Sequence, residues 1–309
     1  MKRLLLVDGH YYAYRSFYAI RSLTNSKGEA TNALYGMAKA LNRMAADLKP
    51  DYAVVIMDGG LPAHRMEQHA EYKANRAETP EALSFQFPFI EELAPALGFT
   101  YLRVEGEEAD DLLACYAREA ERNGIEAVLA TNDKDLFQLV GDAVRIYQPG
   151  PDGFALLDAA GVEAKWGVPP RQIGDILTLT GDAVDNIAGV PGVGPKTAAG
   201  WIQEYGSVEN LLANIPKLKS EKQRAALEGS RALIARNRIL VALREDLPLP
   251  RPLAEMPWRP DAARQAALFA RLEFKGLLAG ANAALAALAP AEPPPVLPPP
   301  PSARQGELF

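Results

Sequence analysis

The sequence predicts an α/β fold with a mostly parallel central sheet flanked by helices, followed by a smaller helical subdomain. Two observations predict this fold. Short apolar runs rich in Val, Leu and Ile alternate with helical patterns in the first half, as is typical of buried parallel strands; these runs are LLLVD, YAVVIMD and EAVLATNDKD. In the second half, helical patterns flank the glycine-rich stretch GVPGVGPKTA, which is typical of two helices joined by a tight hairpin.

Composition places the chain among globular proteins. Its 309 residues are 48% hydrophobic and 23% charged, enough for one large domain or two smaller ones. The single cysteine, Cys115, excludes a disulfide within the chain and indicates a reducing cytoplasm. The first apolar run is too short for a signal peptide, and we expect no membrane span. The net charge of −6 alone argues against nucleic acid, but residues 215–240 hold seven Lys and Arg against two Glu.

Aspartates follow three of the predicted strands. Asp8 ends the first run, Asp58 ends the second, and the third leads into Asp133 and Asp135. Ligands of parallel sheets bind in the crevice beyond the carboxyl ends of the strands, so we expect these side chains to meet there. The alternative is that each aspartate is an ordinary turn or helix-capping residue.

The stretch VEGEEADDLLACY, residues 104–116, places further acids at the start of a helix. Acids in a first turn are an ordinary response to the helix dipole, which is the alternative interpretation. A helix that follows a strand begins at the same sheet edge, so Glu108, Asp110 and Asp111 are expected to face the strand-end aspartates. So many carboxylates repel one another, and a divalent cation would relieve the repulsion. With three histidines and one cysteine in the chain, the oxygen ligands favour Mg²⁺ or Mn²⁺ over zinc. Two ions about 3.5–4 Å apart fit this number of ligands and serve phosphodiester hydrolysis.

The second half adds acids and a phosphate-binding pattern. Asp182 and Asp185 are spaced i, i+3, so on a helical turn they would share a face and add to the second metal site. Gly192 and Gly194 allow a backbone to approach a phosphate, and a helix that begins at about Thr197 would point its free N–H groups at it, with Lys196 adding charge. The alternative is a plain helix–turn–helix corner.

These residues resemble the 5′-nuclease (flap endonuclease) domain at the N-terminus of bacterial DNA polymerase I and its free-standing relatives. The resemblance runs from residue 1 to about residue 285, and we expect the free-standing form without a polymerase domain. Its motifs are LLLVDGHYYAYR, VIMDG, EYKANR, EGEEADD, ATNDKDLFQLV, LTGDAVDN and GVPGVGPKTA. It implies a PIN-like 5′-nuclease fold with a helix-hairpin-helix subdomain. It also implies two metal groups, the first formed by Asp8, Asp58, Glu108, Asp110 and Asp111 and the second by Asp133, Asp135, Asp182 and Asp185.

The same resemblance assigns DNA contacts. The segment HRMEQHAEYKANRAETPE, residues 64–81, resembles the family's helical arch, and we expect the arch to cover about residues 64–90. It implies catalytic roles for Lys73 and Arg76 on the scissile phosphate, with Arg65 guiding the strand and Tyr72 free to stack on a base. The alternative for this segment is a solvated amphipathic helix. Two further phosphate contacts are expected nearer the N-terminus, at Arg15 and Lys27.

We therefore expect a structure-selective 5′-3′ exonuclease and flap endonuclease that acts on 5′ flaps, nicks and RNA primers in replication and repair. The expected domains are a nuclease domain at 1–175, a helix-hairpin-helix subdomain at 176–288 and a tail at 289–309. Mg²⁺ is the expected cofactor, Mn²⁺ is an expected substitute, and K⁺ at the helix-hairpin-helix is a further candidate. We expect a cytoplasmic, nucleoid-associated monomer with no membrane partner. The alternative is a catalytically idle flap-binding module tethered to the sliding clamp. An RNA-cleaving PIN nuclease would lack the second carboxylate group and the helix-hairpin-helix.

The tail has its own composition. Eight of the residues 290–301 are proline, which predicts an extended spacer. The last five residues, QGELF, resemble the peptide by which bacterial replication proteins bind the sliding clamp. In that interpretation Leu308 and Phe309 fill an apolar pocket and Gln305 hydrogen-bonds at its rim; the alternative is a passive tail.

Overall fold

The computed structural model describes residues 1–150 and 153–288. Its strands are β1 Arg3–Asp8, β2 Tyr52–Met57, β3 Thr100–Arg103, β4 Glu126–Ala130, β5 Val144–Gly150, β6 Gly153–Leu157, β7 Gly181–Asp182 and β8 Ile187–Ala188. Its helices are α1 Gly9–Ala19, α2 Asn32–Leu48, α3 Ala63–Gln68, α4 Glu81–Ser84, α5 Phe87–Ala96, α6 Ala109–Arg122, α7 Ala159–Trp166, α8 Ile173–Thr180, α9 Pro195–Tyr205, α10 Val208–Ala213, α11 Glu221–Gly229, α12 Arg231–Leu240, α13 Ala262–Arg271 and α14 Lys275–Leu288.

The central sheet has the strand order β3-β2-β1-β4-β5-β6. Strands β1 to β5 pair in parallel, and β6 joins the edge antiparallel to β5. From β1 the strands continue in one direction through β2 and β3 and in the other through β4 and β5. The connections after β1 and β4 therefore run to opposite faces of the sheet, which opens a crevice between the carboxyl ends of these two strands. The predicted α/β fold with a mostly parallel sheet is confirmed, and the predicted strands β1, β2 and β4 surround this crevice.

Apolar side chains cover both faces of the sheet. Along β1, Leu4 and Leu6 join one buried cluster while Leu5 and Val7 join the other, because successive side chains in a strand point to opposite faces. One cluster contains α6 and continues into the helical second half, and the other contains α2 and α5. Two buried faces explain why these strands are continuous apolar runs.

The second half is helical, with one small interruption. Helices α8 and α9 are joined by the antiparallel pair β7 and β8 and by a glycine turn, which gives the predicted helix-hairpin-helix arrangement. The predicted boundary between residues 175 and 176 falls inside α8. Helix α13 packs on α5 and on α14, so the last two helices return to the sheet-containing part of the chain.

None of the helices in the described parts of the chain combines the length and the apolar character that crossing a bilayer requires.

Candidate metal centre

The carboxyl ends of β1 and β2 place two aspartates in the crevice. Asp8 caps α1 and accepts hydrogen bonds from the Tyr11 N–H at 2.9 Å and from the Thr131 hydroxyl at 3.1 Å. Asp58 accepts a hydrogen bond at 2.8 Å from the N–H of Ala109, the first residue of α6. The start of α6 therefore lies at the same edge as the strand ends, as the sequence predicts.

Four aspartates at this edge form what we call the first carboxylate group: Asp8, Asp58, Asp110 and Asp133. The resemblance assigns Asp133 to the second group, but its charge also acts on Asp8 and Asp110. Burial, followed by the neighbouring charges of Asp58 and Asp133, raises the pKa of Asp8 to about 7. Burial also raises the pKa of Asp110 well above its ordinary value, and the charges of Asp133, Asp8 and Asp58 add to the effect. The charges of Asp58 and Asp133 are therefore close enough to oppose the ionisation of Asp8 and Asp110.

A second carboxylate group lies beside the first and consists of Asp135, Asp182 and Asp185. Each offers an oxygen, and these atoms all lie within 4.8 Å of one another. The predicted helical turn for Asp182 and Asp185 is wrong, because they lie on the hairpin formed by β7 and β8. The hairpin is tight: a Cβ at Gly181 would lie 2.2 Å from the Ile187 carbonyl oxygen, so only glycine fits there.

Asp133 connects the two groups electrostatically. Burial raises the pKa of Asp133, and the charges of Asp185 and Asp182 raise it further. Asp133 in turn raises the pKa of Asp8 and Asp110 in the first group. The two groups therefore form one continuous acidic site.

The donor atoms fit divalent cations. Asp135 Oδ1 is buried and has no hydrogen-bond partner among the described residues, which is costly for a carboxylate oxygen unless a cation contacts it. Burial, followed by the charges of Asp133, Asp182 and Asp185, raises the pKa of Asp135 well above its ordinary value. An all-carboxylate donor set is the one that Mg²⁺ and Mn²⁺ prefer.

Asp111 does not face this site. It is fully buried, and its two oxygens accept hydrogen bonds from the Arg65 guanidinium at 2.7 and 2.8 Å. Oδ1 also accepts the Arg244 N–H at 3.0 Å. Arg65 is only 3% exposed and also pairs with Glu108, so it is not placed at a gateway for DNA. The geometry therefore does not support Asp111 as a metal ligand or Arg65 as a DNA contact, and it gives both a structural role.

Residues of the predicted arch lie directly over the acidic site. Lys73 Nζ pairs with Glu108 and lies 3.7 Å from Asp185, while Arg76 pairs with Asp185 at 2.6 Å. Burial lowers the pKa of Lys73, but Glu108 and Asp185 outweigh it and the pKa lies above its ordinary value. Glu108 is therefore free to act as a ligand only after Lys73 moves away.

Tyr72 is not available to stack on a base in this arrangement. Its side chain is 3% exposed, and its hydroxyl donates to Glu108 at 3.2 Å and lies 3.3 Å from Asp185. The predicted stacking role therefore requires the arch to move. The helical part of the predicted arch is short, with α3, α4 and the start of α5 separated by turns.

Two polar residues of the site were absent from the sequence prediction. Thr131 donates to Asp8, and Lys134 Nζ pairs with Asp182 at 2.7 Å. Both flank Asp133 just beyond β4, so the strand-end argument that selected Asp133 could also have selected them.

The helix-hairpin-helix turn is open to solvent. Gly192 has a φ of +79°, a left-handed conformation that favours glycine, and Gly194 precedes the first turn of α9. Helix α9 begins at Pro195, two residues before the predicted start, so the N–H groups of Lys196 and Thr197 lie in its first turn. Lys196 is exposed beside them. This end of α9 can accept a phosphate oxygen.

The other predicted phosphate contacts are also exposed. The Arg15 guanidinium lies 6.0 and 5.8 Å from the ring centres of Tyr11 and Tyr12. Lys27 is exposed on a loop that Asn25 stabilises by accepting the Lys27 N–H at 3.1 Å. The tail residues Gln305, Leu308 and Phe309 lie outside the described residues.

The fold and the acidic site together define a class of metal-dependent nuclease. The family model for the 5′-3′ exonuclease N-terminal resolvase-like domain matches residues 3–167, and that for the 5′-3′ exonuclease C-terminal SAM fold matches residues 168–264. The chain belongs to the 5′-3′ exonuclease family. The sequence resemblance to the 5′-nuclease domain of DNA polymerase I is confirmed.

Two curated relatives show the extent of the similarity. The thermostable DNA polymerase I of Thermus thermophilus is 42% identical over 276 residues, covering 89% of this chain and 33% of that polymerase. DNA polymerase I of Mycobacterium bovis is 38% identical over 281 residues, covering 89% of this chain and 31% of that polymerase. The chain therefore spans about a third of the length of these relatives.

Solved structures share the fold at lower identity. T5 5′-exonuclease with divalent zinc ions bound superposes with a TM-score of 0.65 at 24% identity, covering 91% of this chain and 100% of that one. The catalytic core of Rad2 in complex with DNA substrate gives a TM-score of 0.59 at 16% identity, covering 91% of this chain and 92% of that one.

Proposed function

We propose that this chain is a structure-selective 5′-3′ exonuclease and 5′-flap endonuclease that hydrolyses DNA phosphodiesters with two Mg²⁺ ions. The observation that carries the proposal is the pair of adjoining carboxylate groups, which Asp133 connects electrostatically and which include the Asp135 oxygen that has no partner among the described residues. Membership of the 5′-3′ exonuclease family supports the reaction class.

Each part of the chain has a role in this proposal. The first carboxylate group and the second carboxylate group would each hold one divalent ion. When bound, such ions stabilise charge on the scissile phosphate and lower the pKa of water. The turn at Gly192 and Gly194 holds duplex backbone through its N–H groups, and Lys196 adds a charge contact. DNA is then selected by shape rather than by sequence.

The arch residues change partners during the reaction. Lys73 and Arg76 now neutralise Glu108 and Asp185, and an incoming phosphate would draw both cations towards itself. Their charge would then oppose the negative charge that develops on the phosphate in the transition state. The expected products are a 5′-phosphate and a 3′-hydroxyl.

The proposal is tested by cleavage of an end-labelled 5′-flap duplex in Mg²⁺ and in EDTA. Wild-type protein should cut near the flap junction in Mg²⁺ only, and Asp133→Asn should bind the flap but not cut it. Cleavage in EDTA, or full activity of Asp133→Asn, would contradict the two-metal site. Binding without cutting by the wild type would favour the idle flap-binding module.

We also propose that the QGELF tail binds the bacterial sliding clamp, which would raise the concentration of the nuclease at flaps. The support is the sequence alone: an apolar Leu308-Phe309 pair and Gln305 follow a proline-rich spacer. Deletion of residues 305–309 should abolish clamp binding in surface plasmon resonance and leave flap cleavage without the clamp unchanged. Equal clamp binding by the truncated chain would contradict this proposal.

A further inference from the structure

The hairpin that carries Asp182 and Asp185 has little support of its own. Strands β7 and β8 have two residues each, and four residues, 183–186, connect them. Asn237 supports the base of the hairpin, because its side-chain amide donates to the carbonyl oxygens of Thr178 at 3.1 Å and Ala188 at 2.8 Å. The tip of the hairpin, residues 183–186, must be held in place by other contacts.

Residues of the predicted arch hold the tip through hydrogen bonds that involve main-chain groups. We call the contact between residues 69–76 and residues 183–186 the clasp. The Asn75 amide donates to the Ala183 carbonyl at 2.7 Å, and the Asn186 amide donates to the Glu71 carbonyl at 2.7 Å. The Lys73 N–H donates to the Asp185 carbonyl at 3.1 Å.

A fourth hydrogen bond joins His69 Nε2 to the Asn186 carbonyl at 2.9 Å. The four bonds of the clasp cover every residue of the hairpin tip except Val184. Asp185 is therefore held at its main chain by the arch, in addition to the pairing of its carboxylate with Arg76.

Backbone conformation marks the same contact. Four non-glycine residues in the described parts of the chain have a positive φ, and two of them, Lys73 at 57° and Asn186 at 59°, lie within the clasp. A lysine in the left-handed region is unfavourable and persists only where surrounding contacts hold it. The clasp therefore holds Lys73 in a conformation that a lysine would not favour alone, opposite Asn186, a residue type that adopts this region more readily.

Among the described residues, no hydrogen bond joins the main chain of residues 69–76 to the first carboxylate group. Asp8 is held by Tyr11 and Thr131, and Asp58 is held by Ala109, all at the sheet edge. Movement of residues 69–76 would therefore break main-chain contacts of the second carboxylate group only, although the Lys73 charge also acts on Asp110 and Asp133.

We propose that the clasp positions the second carboxylate group, so that the conformation of the arch sets the divalent-cation affinity of Asp135, Asp182 and Asp185. Asn75, Asn186 and His69 are positioning residues in this proposal. This proposal rests on the proposed metal-dependent function. It links the conformation of residues 69–76 to the binding of an ion at the second carboxylate group.

The test measures Mn²⁺ binding to the full chain by calorimetry and by electron paramagnetic resonance. It compares the wild type with the variants Asn75→Ala and Asn186→Gly. Glycine permits the left-handed φ of residue 186 and removes the side-chain amide that donates to Glu71. Loss of one hydrogen bond should weaken one of two Mn²⁺ sites by about threefold to tenfold and leave the other unchanged. The matched control is Asn123→Ala, whose amide donates at 2.7 Å to Glu119 at the far end of α6.

Selective weakening of one site in both clasp variants, with wild-type binding in the control, is the expected result. Wild-type affinity in Asn186→Gly, or equal weakening of both sites together with a lower unfolding temperature, would overturn the proposal. Flap cleavage by the same wild-type protein separates the two proposals. Two bound ions without cleavage would overturn the nuclease function alone, whereas no bound ion would overturn both.

Discussion

Asp110 and Asp111 are neighbours in the sequence and should respond oppositely to the same substitution. Asp111 is fully buried and holds the Arg65 guanidinium through both of its oxygens. Asp110 faces the like charges of Asp133, Asp8 and Asp58, which raise its pKa after burial has done so. Asp110→Asn removes a negative charge that its neighbours repel. Asp111→Asn removes the negative charge that pairs with Arg65 and replaces one carboxylate oxygen with an N–H donor.

The size of the Asp111→Asn effect follows from the burial of the ion pair. Removing one partner of a buried pair destabilises a protein by about 3–5 kcal/mol. Because Glu108 still pairs with Arg65 in the variant, we expect the low end, about 3 kcal/mol. At about 2–4 °C per kcal/mol for a chain of this size class, the unfolding temperature should fall by roughly 6–12 °C.

Thermal unfolding followed by circular dichroism, in EDTA, measures this difference. Asp110→Asn should unfold at the wild-type temperature or above it, because relief of repulsion stabilises the ion-free protein. An unchanged unfolding temperature for Asp111→Asn, or an equal fall for Asp110→Asn, would refute the assignment of Asp111 to structure and Asp110 to the metal site.

Three further substitutions test other contacts. Lys73→Met removes the cation that competes for Glu108, so Mn²⁺ should bind more tightly in calorimetry while single-turnover flap cleavage slows by about 10²–10³-fold; slower cleavage with weaker Mn²⁺ binding would contradict this. Lys196→Ala should weaken flap binding and lower the slope of log affinity against log salt by about 1, and an unchanged slope in fluorescence anisotropy would exclude a phosphate contact. Asn237→Ala removes the donor to two carbonyl groups, of which that of Thr178 is buried, so thermal unfolding should show a loss of about 1–3 kcal/mol, and wild-type stability would contradict the account of the hairpin base.

The sheet and its acidic edge could be predicted because each depends on local sequence. Strands β1, β2 and β4 are apolar runs, and parallel strands buried on both faces bring Asp8, Asp58 and Asp133 to one crevice. The family motifs then extended this prediction to the helical second half.

The choice between Asp110 and Asp111 was not made from sequence, although a physical rule bears on it. Residues i and i+1 of a helix do not share a face, so both could not point into the crevice. Asp111 points away from the crevice because it pairs with Arg65. The position of Arg65 depends in turn on the carbonyl groups of Leu240 and Ala242, which lie far along the chain. The burial of Arg65 could not be derived from its own segment for the same reason.

The hairpin at Asp182 and Asp185 was also beyond local reasoning. The i, i+3 spacing fits a helical turn, but Gly181 and Gly189 bring two backbone segments into contact instead. The arch and Asn237 complete the arrangement from more than 40 residues away in the sequence. In the sequence, a close approach of two backbone segments is marked only by an isolated glycine, and a distant hydrogen bond only by an isolated asparagine. Neither can be recognised without the structure.

Counting bound ions tests the central claim, that two adjoining carboxylate groups hold two divalent cations. Electron paramagnetic resonance with Mn²⁺ and an uncut 5′-flap duplex should show two ions per chain for the wild type, one for Asp135→Asn, and two for Asp111→Asn below its unfolding temperature. A single ion in the wild type, or two in Asp135→Asn, would contradict the two-group site.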